Sequence, residues 1–231
     1  MEQAAIDLKK EQQASRARAR YGYSPVARFF FRSMDMLAGK ETSLAKARLV
    51  EALAPIPYGA WQNRQHAHMA LRYRDKELVA QARAIVTWGR EAQDNEYWHL
   101  LVVHEKLKED GARDPLYMSP PLPFLMVASY AVLTWAMARV DIRRSFLFNA
   151  EFEDHSEHYY AQLVDEHPEW EDQPVTSEIV REYGSFDSWA DVFRRIGLDE
   201  RDHMNNSFRF GDRPEDVVEY EGMPPARGLD T

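Results

Sequence analysis

Apolar residues recur along this chain at helical rather than alternating spacing, and the breaks between them fall at Pro and Gly. The pattern predicts an all-α protein. Ser24-Pro25 opens a helix that Gly39 ends. Its three consecutive aromatics, Phe29, Phe30 and Phe31, cannot all face one core stripe, so some bulky apolar surface is left for a lipid interface or a partner chain. Residues 41–71 read as a long helix interrupted near Pro55 and Pro57, residues 76–107 as the next, and residues 122–140 as an uncharged-to-basic helix near bilayer length. Residues 146–164 are the densest stretch. A loop with a short amphipathic piece at Ile179-Val180 follows, and Ser185–Ser188 caps a last helix whose apolar face is Trp189, Val192, Phe193 and Ile196. Residues 24–210 therefore form one helical domain, with residues 1–23 and 211–231 expected as flexible tails.

Composition narrows the class. A formal net charge of −9 argues against nucleic acid as a general partner, and zero Cys excludes disulfides and thiolate metal sites. The polar residues 1–19 lack the apolar core of a secretory signal, and the mean hydropathy of −0.58 is too low for a polytopic membrane protein. Membrane contact, where present, is expected to be monotopic.

The chemistry concentrates in a motif that occurs twice, Glu96-Tyr97-Trp98-His99 and Glu200-Arg201-Asp202-His203. A Glu and a His three apart on a helix share one face, so both reach one metal ion. Each copy follows a residue that can hydrogen-bond, Asn95 or Asp199. Two such pairs plus a lone Glu on each of two further helices make the inward ligand set of di-iron carboxylate four-helix bundles. The lone candidates are Glu51 and Glu153, and the gaps from Glu51 to Glu96 and from Glu153 to Glu200 are nearly equal, as in a repeated helix pair. Periodicity alone does not separate Glu153 from Glu157. His155 and His158 also form a His-x-x-His pair with zinc-like spacing, for which two exposed helical histidines are the simpler account.

With these residues in hand, the chain resembles the alternative oxidase family, closest to its plastid terminal oxidase branch and bacterial relatives. Leu49-Val50-Glu51-Ala52-Leu53-Ala54-Pro55-Ile56-Pro57-Tyr58 is similar to that family's Leu-Glu-Thr…Pro-Tyr motif, and Asn95-Glu96-Tyr97-Trp98-His99-Leu100 to its Asn-Glu-x-x-His-Leu. Phe152-Glu153-Asp154-His155-Ser156 and Asp199-Glu200-Arg201-Asp202-His203 match its third and fourth motifs in order. The resemblance implies a ferritin-like di-iron four-helix bundle with additional membrane-interface helices. It implies two iron ions held by Glu51, Glu96, His99, Glu153, Glu200 and His203, with Asn95 and Asp199 behind them. It places a redox-active tyrosine at Tyr160 and quinol contacts at Lys46, Phe152, His155, Ser156 and Tyr159. Lys46, Ala52 and Tyr159 depart from the family's usual residues, which bears on the quinone rather than on the metals. The implied activity is oxidation of a membrane quinol with reduction of O2 to water, without proton pumping. The implied partners are quinol, O2, a membrane surface (the cytoplasmic face of a bacterial inner or photosynthetic membrane) and a second copy of the chain. The ligand set by itself also fits a di-iron quinone-ring hydroxylase, a ferritin-like iron-binding protein, or a plain bundle with coincidental pairs.

Overall fold

A computed structural model describes residues 6–225. Among them there are helices and turns but no strand. The order is α1 (Leu8–Ala17), α2 (Pro25–Ala38), α3 (Leu44–Glu51), α4 (Pro55–Arg72), α5 (Lys76–Glu109), α6 (Leu122–Val140), α7 (Ile142–Glu166), α8 (Glu178–Tyr183) and α9 (Trp189–Phe210), with short 3-10 turns between. The helix starts follow their caps. Ser24, Ser43, Asp75, Asp141, Ser177 and Ser188 each accept a backbone N–H from the first turn, contacts worth about 1 kcal/mol apiece.

The break between α3 and α4 matters most for the site. Pro55 has no N–H to give, and its ring clashes with the carbonyl four residues back, that of Glu51. Helix α3 therefore stops at Glu51, and the chain turns through Ala52–Ala54 before α4 starts on Pro55. Helix α7 packs most extensively on α9, and α4 on α5, while α3 lies along α5. Gly197 permits the close approach of α9 to α7, since a Cβ there would stand 3.4 Å from Tyr160 Cβ. The core divides into separate clusters. One is built on Trp170, Trp189, Phe193 and Ile196, and another on Tyr58, the stacked pair Trp61–Trp88 (centroids 5.1 Å apart) and Phe146.

Both ends of the chain differ from the expected tails. Helix α1 docks on α7 and α9 and buries Glu11, Gln12 and Ser15. Its sequence hides this because the buried side chains are polar; what they meet is charge, not oil. At the other end Val217 and Val218 pack on Met204 and Phe208, and Val218 exchanges hydrogen bonds with the Asn205 side chain (2.8 and 2.9 Å). Residues 1–5 and 226–231 of the expected tails lie outside the described residues.

Of the three phenylalanines in α2, Phe30 and Phe31 turn inward and Phe29 is 74% exposed. Helix α6 is long and apolar enough to cross a membrane by length and composition, yet only 17% of its most apolar window is buried. Phe124, Leu125, Val132, Trp135 and Val140 face outward from it.

Candidate metal centre

Six side chains converge between α3, α5, α7 and α9, in two groups. Glu51, Glu96, His99 and Glu200 offer ligand atoms all within 4.8 Å of one another, and so do Glu96, Glu153, Glu200 and His203. Glu96 and Glu200 belong to both. Atoms about 2 Å from one ion lie roughly 3 to 4 Å apart, so each group could hold one metal ion. The α3 break sets Glu51 facing the Glu96–His99 turn of α5, and α7 carries Glu153 to the opposite end. Nδ1 of His99 stands 3.2 Å from Glu200 Oε1 and 3.3 Å from Glu96 Oε2. Nδ1 of His203 is 2.8 Å from Glu96 Oε1 but out of line for a hydrogen bond.

The donor set is unbalanced without a cation. Glu51 Oε2, Glu96 Oε1, Glu153 Oε2, Glu200 Oε2 and His203 Nδ1 are buried with no hydrogen-bond partner. Among the described residues, no Lys or Arg pairs with any of the four carboxylates. Burial, then the charges of neighbouring glutamates, pushes the Glu51 and Glu153 carboxyls well above their ordinary range. Burial opposes the Glu96 carboxylate too, but His203 and His99 overcome it and hold Glu96 down at about 2. Orphaned oxygens and imidazole nitrogen are the ligands a divalent transition metal takes, and one or two such ions would satisfy them.

The surroundings aim the ligands. Tyr160 donates its hydroxyl to Glu51 Oε1, leaving Oε2 toward the centre. Glu153 mirrors this: Tyr58 and Asn149 both donate to its Oε1 at 2.8 Å, and its Oε2 is the unpartnered atom. His99 Nε2 bonds Asp199 Oδ2 (3.3 Å), which also accepts from Asn95 (3.4 Å) and Tyr183, while Arg195 holds the other oxygen. Asn95 and Asp199 thus sit behind His99 and fix its ring, an arrangement metal-ligating histidines use. Tyr58, Asn149, Tyr183 and Arg195 were not singled out from the sequence. Asn149 had a signal, one helical turn before Glu153, and Tyr58 closes the first motif. Tyr183 had none, because it arrives from α8.

The ambiguity at α7 is resolved by charge. Glu157 points away from the centre into a second buried group with Asp154 and His158. That group holds its own cations: Arg18 spans Asp154 and Glu157 (2.6 Å each), and Arg201 contacts Glu157 (2.8 Å) and Glu11 (2.6 Å). His158 is buried between the carbonyls of Asp154 and Arg18, not exposed, so the His155–His158 pair is no zinc site.

A narrow apolar pocket opens beside Glu51. Phe30, Phe31 and Met34 of α2 form one wall, Phe152, His155, Ser156 and Tyr159 of α7 another, and Glu51 and Tyr160 stand at its inner end. Lys46 is buried in its lining, donating to Asp35 (2.6 Å) and to the Gly39 carbonyl (2.9 Å), which ties α3 to α2. His155 stacks on Phe31 with centroids 4.1 Å apart. Burial, aided by Arg20 and Lys46, pushes its imidazole down to about 3, so the ring is neutral. The Tyr159 hydroxyl is taken by the backbone of Ser43, leaving only its ring to the pocket. No family model matches the chain, and no curated protein is significantly similar to it.

Proposed function

We propose that this protein is a non-haem di-iron quinol oxidase of ferritin-like fold, which oxidises a membrane quinol and reduces O2 to water without pumping protons. The observation that carries the reading is the meeting of two environments at Glu51: two ligand groups with orphaned oxygens on one side, and an apolar pocket ending at Glu51 and Tyr160 on the other. The four motifs in order support the same conclusion. Glu51, His99, Glu153 and His203 would each hold one iron, and Glu96 and Glu200 both; bound iron would supply the electron storage that links quinol to O2.

The chain's own residues do the rest. The aromatic walls of the pocket accept a quinol ring and exclude water. The neutral His155 ring, its Nδ1 3.4 Å from the Arg20 guanidinium, lines that pocket without setting an imidazolium against the quinol. Tyr160, bonded to Glu51, is the polar group placed to exchange a proton, or a proton with an electron, between the pocket and the centre. Two quinols lose four electrons and four protons, and one O2 takes them up as two waters. The outward apolar faces of α2 and α6 rest on the membrane and bring the pocket mouth to the lipid, where quinol resides.

The test is O2 uptake by iron-loaded protein in quinol-containing liposomes, in the presence of cyanide. The expected result is one O2 per two quinols with no H2O2 released. Iron oxidation that needs no quinol would replace this reading with an iron-storage role, and a hydroxylated quinone ring would replace it with oxygen insertion.

A further inference from the structure

The six ligands are not equally shielded. Glu51, Glu96, His99, Glu153 and Glu200 are at most 1% exposed, whereas His203 is 6% exposed. His203 meets solvent in a cleft on the side of the centre away from α2, a cleft about 330 Å³ in volume. Asn95, Asp199, Asp202 and Arg195 line it, and the C-terminal segment runs along it through Tyr220, Gly222 and Pro224. The centre therefore has two approaches of opposite character, an apolar one ending at Glu51 and a polar one ending at His203.

We propose that the polar cleft is the port through which divalent metal ions reach the centre, with Asp202 as the outer carboxylate and the Tyr220 segment as its cover. The inference rests on the metal-binding reading above and adds where the ion enters. A hydrated divalent cation gives up water only in exchange for other oxygen or nitrogen ligands. The aromatic walls of the α2 pocket offer few of these, and its Asp35 carboxylate is already taken by Lys46 (2.6 Å). The cleft offers Asp202, then Asp199, then the edge of His203. The guanidinium among its described lining residues, Arg195, is already shared between Asp199 and Asp202 (3.4 Å to the latter). Behind them the four carboxylates of the centre, unmatched by any Lys or Arg among the described residues, draw a cation inward.

The cover is lightly held. Both oxygens of Asp202 accept from the Tyr220 hydroxyl at 2.9 Å, and the ring of Tyr220 lies 5.5 Å from the Arg201 guanidinium. The segment is also tied by Val218 to Asn205, by Met223 Sδ to the Asn205 amide (3.6 Å) and by an exposed Lys10–Glu221 pair (3.6 Å). Releasing the hydroxyl contact leaves the outer carboxylate to the 3.4 Å Arg195 contact and loosens the flap.

The absence of Cys makes a direct test practical, because one introduced thiol is the only labelling site. Cobalt(II) uptake by metal-free protein is followed by its visible absorption, giving both a rate and a final stoichiometry. In Pro224→Cys carrying a bulky maleimide, uptake slows by about an order of magnitude, as expected for a blocked entry path, with the final stoichiometry unchanged. The same label at Asp35→Cys, at the mouth of the apolar pocket, leaves the rate unaltered. Tyr220→Phe, which folds without the latch, takes up cobalt several-fold faster to the same endpoint. Unaltered rates in the labelled Pro224→Cys and in Tyr220→Phe, with normal stoichiometry, overturn the port and leave the metal centre standing. Slowing by the Asp35→Cys label instead moves the entry to the other face and overturns it equally. A parent protein that binds no cobalt overturns the centre itself, and the port with it.

Discussion

Helix α7 buries acid in two groups, and the two are built to opposite rules. In one, Glu153 joins Glu51, Glu96 and Glu200 with two histidines and, among the described residues, no Lys or Arg partner. In the other, one turn along, Glu157 and Asp154 meet Arg18 and Arg201 in an ion-pair network that also takes in Glu11 and Ser15 of α1. Residue types and burial are alike. What differs is whether the protein brings its own cation. Where it does, the acids fasten α1 to α7 and α9; where it does not, unpaired oxygens converge on a space an ion can fill. A buried charge with nothing opposite is costly enough that the second arrangement points outside the chain for its partner.

Breaking the comparison at its centre gives the largest effect. Glu200→Ala removes a ligand common to both metal-ligand sets, and metal analysis should find bound metal falling from about two per chain to well under one. Unchanged metal in that variant would leave the helix carrying Glu200 merely structural. In the arginine-paired group, Arg201→Met strands Glu157 and Glu11 and should cost about 3 to 5 kcal/mol in urea unfolding, while metal stoichiometry in the protein that remains folded is unchanged. A matched pair sharpens the contrast. Glu153→Gln should raise the stability of the metal-free protein by about 1 kcal/mol, by relieving an unpaired buried carboxyl. Glu157→Gln should lower it, and equal signs for the two would remove the distinction between the two groups of acids. Asp199→Asn, which weakens the hold on His99 without touching the ligands, should reduce metal affinity by about 10- to 100-fold, seen in competition with a chelator.

The smallest effect tests a shallow version of the second rule. Arg194 of α9 bonds Glu171, and this contact, with Lys9, holds the Glu171 carboxyl down at about 2. A carboxyl whose folded value lies below its unfolded one stabilises the fold fully above about 4.5 and ceases to do so as pH falls toward 2. Because Glu171 is 38% exposed, solvent screens the pair and the contribution is small. Glu171→Gln should slightly flatten the dependence of the urea midpoint on pH between those limits; a steeper dependence would assign the acid sensitivity elsewhere.

Much of the site was legible in the chain. Glu96-x-x-His99 and Glu200-x-x-His203 are local patterns, since helical geometry alone puts each pair on one face. Pro55 announced the break that ends α3 at Glu51, and Leu122–Val140 stood out by composition. Other features were not legible for a shared reason. Glu153 and Glu157 are one turn apart on one helix; residue spacing left the pair open, the resemblance alone chose Glu153, and only the structure shows Arg18 and Arg201, remote in sequence, paired with Glu157. Tyr183 reaches Asp199 from a separate helix. Helix α1 looked like a tail because its buried residues are Glu, Gln and Ser, which count as solvated until their partners are known.

The sequence by itself determined the helices, their caps, the doubled Glu-x-x-His and the apolar surplus on α2 and α6, because each depends on residues within a turn or two of one another. Only the tertiary structure decided which acids face an unmatched centre and which face arginine, which of the six converging side chains touches water, and that the helix Leu8–Ala17 is part of the body. Those outcomes depend on electrostatic partners brought together from distant points of the chain, and the spacing of residues along a helix carries no information about what will stand opposite.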